Sequence, residues 1–151
     1  MRVVLKIALY VVLIGPFFIW SQETIPDKDL LCSELQKMVK NDQLHRDKFP
    51  SKFRPNNKER SKKEMDSIIN IQTKIDNYNT ERLLTLTEKY GWLSNERLNC
   101  EDLNVFLIFR HSQSKYYNAI SKVIEVEHSA KRLRTWEYEF IKDHIGNRPR
   151  G

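Results

Sequence analysis

A continuous run of large apolar residues in the middle of the chain constrains the fold more than any other feature. Every residue from Val105 to Phe109 is large and apolar, so neither a helix nor a strand here could turn a polar face to water. Such a segment has to be covered on most sides by other elements. Arg110 and His111 follow at once. We therefore predict a buried central helix with polar groups at its edge; a strand at 103–109 is the alternative.

The rest of the chain has helical periodicity and few turn-forming residues. It contains 4 Gly and 5 Pro, too few for the many tight turns of an all-β fold. Apolar residues recur instead at three- and four-residue steps. The pattern predicts an all-α, single-domain bundle of about five helices. Their predicted ranges are 30 to about 45–47, 61–89, 99 or 100 to 112, 115–130 and 135–146.

Helix-capping residues support two of these boundaries. Ser61-Lys-Lys-Glu64 has the spacing of a capping box, in which two side chains satisfy the free backbone donors of a helix start. Thr135 is suited to the N-cap of the last helix. In the last two helices we expect three aromatic residues to face the core: Tyr116, Trp136 and Phe140.

Residues 1–23 have the pattern of an export signal. Arg2 and Lys6 precede an apolar stretch, Ile7 to Trp20, which is shorter than the ~20 apolar residues of a membrane span. We expect cleavage near Ser21; the alternative is an uncleaved anchor that associates with the membrane through residues 1–20. Either way, the helical domain, residues 24–151, is expected outside the cytoplasm, as a periplasmic, secreted or anchored protein.

Cys32 and Cys100 are the only cysteines, an even number in a chain predicted to be exported. They could form one disulfide closing a long loop, which would contribute about 4 kcal/mol in the chain-entropy model. The alternative is two separate buried thiols that behave as small apolar residues. The sequence leaves both interpretations open.

Residues 46–63 form a basic connecting segment, with eight Lys or Arg against Asp47 and Glu59. It is expected to be a solvated connection between helices, or else a patch for anionic lipid head groups. The whole chain has a formal net charge of +6, a mild excess for 151 residues. We do not expect a nucleic-acid partner from a charge of this size.

Patterns for metals, cofactors and common nucleophiles are weak or missing. No two histidines have the i,i+4 spacing of a helical zinc site. Asp42-x-x-His45 and Glu125-x-x-His128 have the i,i+3 spacing of di-iron bundles, but carboxylates on two further helices are not evident. There is also no nucleophile elbow and no Gly-rich phosphate loop. We predict no metal and no cofactor.

A histidine–carboxylate pair is the remaining catalytic candidate. His111 lies at the edge of the buried run, and Asp42, Asp76 or Asp143 could reach it from other helices. Such a carboxylate would orient the imidazole for acid–base chemistry. The structural alternative is that Arg110 and His111 stabilise the negative end of the central helix.

Several polar motifs, taken together, resemble a widespread bacterial family of small helical domains of unassigned function. The motifs are Asp42-Gln43-x-x-Arg46, Asp76-x-x-Asn79, Tyr90-Gly91-Trp92, the histidine after the apolar run, and Asp143 with Gly146. The resemblance spans about residues 30–151 and implies a fold class and candidate positions only. This chain departs from the family pattern at Leu93, where Pro is usual, and at Arg110, where Gln is usual. Family members continue into a Gln-x-Tyr-Gly-Thr-like tail, where this chain has Arg148-Pro149-Arg150-Gly151, so any part of a site that the tail completes is expected to differ.

From these observations we predict a polar cluster between the first, second and central helices of an exported domain. The leading hypothesis is a cell-envelope binding or interaction module for a protein or a small polar ligand, with Gln43, Arg46, Asn79 and Arg110 as ligand-binding candidates. The second is a hydrolase-like enzyme in which His111 acts with Asp42 or Asp76 and Arg46 binds an anionic group. The third is association with an anionic surface through residues 46–63. The residues do not determine a reaction.

Overall fold

Six α-helices and no strand make up the described part of this computed structural model, which covers residues 23–49 and 61–147. The helices are α1 (Lys28–Gln43), α2 (Lys62–Tyr90), α3 (Asn95–Leu98), α4 (Phe106–Arg110), α5 (Tyr117–Ser129) and α6 (Thr135–Asn147). Short 3-10 helices occupy Arg46–Lys48 and Ser114–Tyr116. The all-α prediction is confirmed, and the helix beyond the five expected is the four-residue α3.

The two longest helices, α1 and α2, pack antiparallel and carry most of the polar candidates. Both start at side-chain caps. The Asp27 carboxylate accepts a hydrogen bond from the Leu30 amide at 2.8 Å. At α2 the predicted capping box is present: Ser61 Oγ accepts from the Glu64 amide, and the Glu64 carboxylate accepts from the Ser61 amide. Gly91 ends α2 at φ 78°, a backbone conformation that favours glycine.

Four of the five residues of the central apolar run are buried, as predicted, and Leu107 is partly buried, but the helix is shorter than predicted. Only Phe106–Arg110 is helical, so the expected helix from residue 99 or 100 to 112 is wrong, and so is the strand alternative. The preceding segment turns twice, because Asn99 and Asp102 both adopt positive φ values. These turns let the short α4 enter the middle of the bundle, where it contacts α1, α2 and α6.

The last two helices, α5 and α6, pack against each other and against the ends of the core. Their buried apolar residues are Tyr117, Ile120, Val123 and Ile124 from α5 and Tyr138, Ile141 and Ile145 from α6. Two expectations about aromatic residues are wrong: Trp136 is 51% exposed and Phe140 37% exposed. Both rings lie edge-on against Phe106 at the rim of the core. Tyr116 is half-buried and packs against the core from its edge.

Cys32 and Cys100 are joined by a disulfide, so of the two alternatives the structure has the cross-link. It ties the first turns of α1 to the segment between α3 and α4. Two side chains of α1 support the same junction: Lys28 donates to the Arg97 carbonyl and Gln36 to the Glu101 carbonyl.

Some predictions concern residues outside the described ranges. The residues concerned are those of the leader, most of the basic connecting segment, and the last four residues of the chain. Among the helices of residues 23–49 and 61–147, none combines the length and the apolar character needed to cross a membrane.

Candidate functional site

A buried carboxylate at the end of α1 is the centre of the site. Asp42 receives hydrogen bonds on both oxygens. His111 Nδ1 lies 2.7 Å from Oδ2, and Gln43 Nε2 donates to the same oxygen at 2.6 Å. Arg46 Nη2 donates to Oδ1 at 3.1 Å. The carboxylate therefore joins α1 to the residue that follows the buried α4.

Arg46 connects this carboxylate to a second one on α2. Its Nη2 lies 2.6 Å from Asp76 Oδ1, and its Nε donates to the Asp42 carbonyl at 3.1 Å. Gln72, one turn before Asp76, donates its amide hydrogens to the Asp42 carbonyl at 3.0 Å and to Asp76 Oδ1 at 2.8 Å. We call these five residues, Asp42, Arg46, Gln72, Asp76 and His111, the Asp42 cluster.

Burial and hydrogen bonding act in opposite directions on Asp76. Removal from water raises the pKa of its carboxyl above the ordinary value, because the charged form loses hydration. The Gln72 hydrogen bond and the Arg46 guanidinium lower that pKa, while the negative charge of Asp42 raises it further. The net effect is a raised pKa, so burial outweighs the hydrogen bonds.

The imidazole of His111 is partly exposed at the protein surface. Its side chain is 20% exposed. Its Nδ1 contacts Asp42, whereas its Nε2 has no hydrogen-bond partner among the described residues. An imidazole held by a buried carboxylate through one nitrogen, with the other nitrogen open, can accept or donate a proton at that second nitrogen.

The structure brings together most of the predicted site residues. Asp42, Gln43, Arg46, Asp76 and His111 form one hydrogen-bonded group. Of the three carboxylates proposed as partners of His111, Asp42 bonds it directly and Asp76 is linked to it through Arg46 and Asp42.

Three other candidate residues lie outside the Asp42 cluster. Asn79 is buried and donates to the Met38 carbonyl at 3.0 Å, which pairs α2 with α1 rather than forming part of the cluster. Arg110 turns toward α6, where its guanidinium lies 3.8 Å from the centre of the Phe140 ring. Asp143 is exposed on α6 and forms no hydrogen bond with His111.

Neither side chain proposed to cap the central helix does so by hydrogen bonding to it. His111 bonds Asp42, and Arg110 donates to the Phe140 carbonyl of α6 at 3.4 Å. Arg110 is nevertheless the basic residue in the last turn of α4, so the expectation that a cation stabilises the negative end of this helix stays a prediction.

Several buried polar residues are absent from the candidates predicted from the sequence, among them Gln72 and Glu127. Gln72 on α2 bonds both carboxylate residues of the cluster. Glu127 on α5 accepts from the Trp92 amide at 2.7 Å and from Arg132 at 2.6 and 2.9 Å. The signal was available in both cases, since each is a polar residue on an otherwise apolar helix face.

The i,i+3 acid–histidine pairs considered for metal binding make other contacts. His45 Nδ1 lies 3.1 Å from Lys48 Nζ, and Glu125 accepts from the Tyr138 hydroxyl. His128 stacks on the Tyr138 ring at 4.2 Å. Within residues 23–49 and 61–147, no three His, Cys, Asp or Glu side chains are grouped so that they could hold a metal ion.

Comparisons with known proteins assign neither a family nor a function to this chain. No family model, no curated protein and no solved structure matches the chain. The resemblance to a bacterial family of helical domains therefore stays a prediction.

Proposed function

We propose that the helical domain is a binding module of an exported protein, and that it holds a polar group of its ligand at Nε2 of His111. The observation that carries this proposal is the 2.7 Å contact between His111 Nδ1 and the buried carboxylate of Asp42. A buried carboxylate fixes the ring orientation, and the partly exposed ring presents its other nitrogen outward. Packing alone does not require such an arrangement.

Preorganisation of the pair supports binding. Asp42 is held by Arg46 and Gln43 as well as by His111, and Arg46 is in turn held by Asp76. A group whose orientation is already restrained loses little conformational freedom when a ligand arrives. The cluster therefore suits a rigid contact point between α1, α2 and α4.

A second candidate is acid–base catalysis, favoured by the same contact. A histidine oriented by a carboxylate can act as general base toward water or a hydroxyl at Nε2. In this reading Asp42 orients His111, and Asp76 positions Arg46. Arg46 already bridges two carboxylates, so the earlier expectation that it binds an anionic group has less support than the acid–base pair.

The binding proposal can be tested by NMR on the exported form of the chain. A library of small polar compounds of all charge types is added while the imidazole signals are followed. We expect some compounds to produce saturable shifts at the His111 imidazole and at neighbouring backbone amides, and the amide shifts should disappear in His111→Gln. His128, whose Nε2 lies 3.3 Å from the Thr135 hydroxyl on another face, is the internal control and should not shift.

Two outcomes count against the proposal or redirect it. If no compound shifts His111 while the protein is folded, the site does not bind small polar groups. If wild type hydrolyses a chromogenic ester such as p-nitrophenyl acetate much faster than His111→Gln, and His128→Gln hydrolyses it like wild type, the acid–base candidate replaces the binding module.

A further inference from the structure

We infer that the group held at His111 is a hydrogen-bond donor, a hydroxyl or a protonated amine, and not an oxyanion. This inference rests on the proposed function and names the class of ligand for that same site. It follows from the tautomer of His111, the charge balance of the Asp42 cluster, and one buried acceptor that lacks a partner.

The Asp42 carboxylate determines which nitrogen of His111 carries the proton. Both oxygens of Asp42 accept hydrogen bonds, including one from the Arg46 guanidinium. Oδ2 therefore acts as acceptor toward His111 as well, so Nδ1 is the protonated nitrogen. In the neutral imidazole Nε2 then has a lone pair and no hydrogen, so it accepts a hydrogen bond from a ligand.

The charge of the cluster favours the same class of ligand. Two carboxylates, Asp42 and Asp76, surround the single guanidinium of Arg46. With His111 neutral, this group has one net negative charge when both carboxyls are ionised and no net charge when Asp76 is protonated. In neither state is it positive, so an oxyanion gains no net attraction, whereas an ammonium group is attracted when both carboxyls are ionised.

A second acceptor in the cluster also lacks a donor. Gln72 is 1% exposed, and its Oε1 has no hydrogen-bond partner among the described residues. The amide cannot simply be reversed, because its Nε2 already donates to the Asp42 carbonyl and to Asp76 Oδ1. A buried acceptor is stabilised when it meets a donor. The two acceptors, Nε2 of His111 and Oε1 of Gln72, thus both require N–H or O–H groups.

The test compares four probes at constant ionic strength and at a pH where His111 is neutral: ethylammonium, glycerol, inorganic phosphate and acetate. The measurement is the ¹⁵N shift of His111 Nε2, with His128 as internal control. We expect the free protein to show an unprotonated Nε2 and a protonated Nδ1. We expect ethylammonium or glycerol to give a saturable shift at least about tenfold tighter than phosphate or acetate. Which of the two donors binds tighter tells an amine ligand from a hydroxyl ligand.

Each contrary result has a distinct meaning. Tighter binding of phosphate or acetate, or a protonated Nε2 in the neutral ring, overturns the ligand class while leaving His111 as a binding site. If none of the four probes and no library compound binds at His111, the proposed function fails together with this inference. Asp66→Asn, an exposed substitution on α2, is the matched control for unspecific charge effects and should leave the probe ranking unchanged.

Discussion

At the scale of single residues, the buried carboxyl groups differ in which cations and hydrogen-bond donors surround them. Asp42 meets a guanidinium, an imidazole and an amide, and Glu127 meets a guanidinium and a backbone amide. Asp76 shares one guanidinium nitrogen with Asp42. A buried charge is costly unless it is paired and hydrogen-bonded. For Asp76 the loss of hydration outweighs the contacts with Gln72 and Arg46, so the pKa of its carboxyl is raised.

The raised pKa of Asp76 has a consequence for stability against pH. A carboxyl with a raised pKa in the folded state contributes stability that is complete below its ordinary value of 3.8 and is lost as the pH rises through the folded value. Asparagine resembles the protonated form and does not ionise. We therefore expect the free energy of unfolding of wild type to fall relative to Asp76→Asn as the pH is raised from about 3 to about 7.

Urea unfolding at a series of pH values measures this difference. The control is Asp66→Asn on the exposed face of α2, whose difference from wild type should depend much less on pH. The opposite trend, with Asp76→Asn losing stability relative to wild type as the pH rises, would mean that the Arg46 and Gln72 hydrogen bonds outweigh burial.

A second residue-scale prediction concerns Glu127. It is buried, and among the described residues it receives hydrogen bonds from the Arg132 guanidinium and from the Trp92 amide. Glu127→Gln keeps the shape but loses the charge, and hydrogen bonds to charged groups contribute roughly 1.5–3 kcal/mol. We expect a loss of about 2–3 kcal/mol, seen as a fall of roughly 4–12 °C in Tm by calorimetry. Glu139→Gln on the exposed face of α6 should change Tm little, and an equal fall in both variants would contradict this account.

At the scale of the elements, local signals predicted helix starts well and the central helix poorly. The α2 capping box lies within four consecutive residues, so its geometry depends on local backbone only. The apolar run 105–109 gave no information on its own ends, because each of its residues is apolar and at least partly buried whatever the helix length. Its start is set by the turns at Asn99 and Asp102 and by the disulfide at Cys100, which depend on distant contacts.

The first turns of α2 offer a test of the capping box. The contact of Gln72 with Asp42 lies near the end of α1, and the residues of α2 before it include exposed Ile69 and Ile71. Local capping should therefore contribute much of the helix stability in the first turns of α2. Removing a serine cap costs about 1 kcal/mol, so Ser61→Ala should make the amides of residues 64–67 exchange roughly fivefold faster.

Hydrogen exchange followed by NMR or mass spectrometry reads this change residue by residue. Ser67→Ala, an exposed substitution inside the same helix, is the matched control and should not accelerate exchange in the first turn. Unchanged exchange in Ser61→Ala would show that tertiary contacts, not the cap, hold the start of α2.

At the scale of the whole molecule, the disulfide connects the two parts of the chain that carry the site. Cys32 precedes Asp42 on α1, Cys100 precedes His111, and the two cysteines are 68 positions apart in the sequence. The cross-link therefore restricts the unfolded chain over the whole interval from α1 to the entry of α4. At the cross-link the two segments lie side by side, with the Cα atoms of Cys32 and Cys100 5.8 Å apart.

Reduction of this disulfide should destabilise the domain by about 4 kcal/mol, as the chain-entropy model gives for a loop of this length. The measurement is the urea midpoint with and without dithiothreitol. The double variant Cys32→Ser with Cys100→Ser should match the reduced wild type and should not respond to the reductant. A midpoint that is the same in oxidised and reduced wild type would contradict the prediction.

By itself, the sequence determined the helical class, the capped start of α2, the burial of most of residues 105–109 and several of the polar residues that needed partners. These properties depend on periodicity, on side-chain oxygens a few residues away, and on polarity, all of which are local. Only the tertiary structure decided that Asp42 rather than Asp76 or Asp143 meets His111, that Arg110 turns to Phe140, that Gln72 joins the cluster, and that the cysteines are bonded. Those outcomes depend on how helices far apart in the chain pack against one another, because a shift of one helical turn would bring different side chains together.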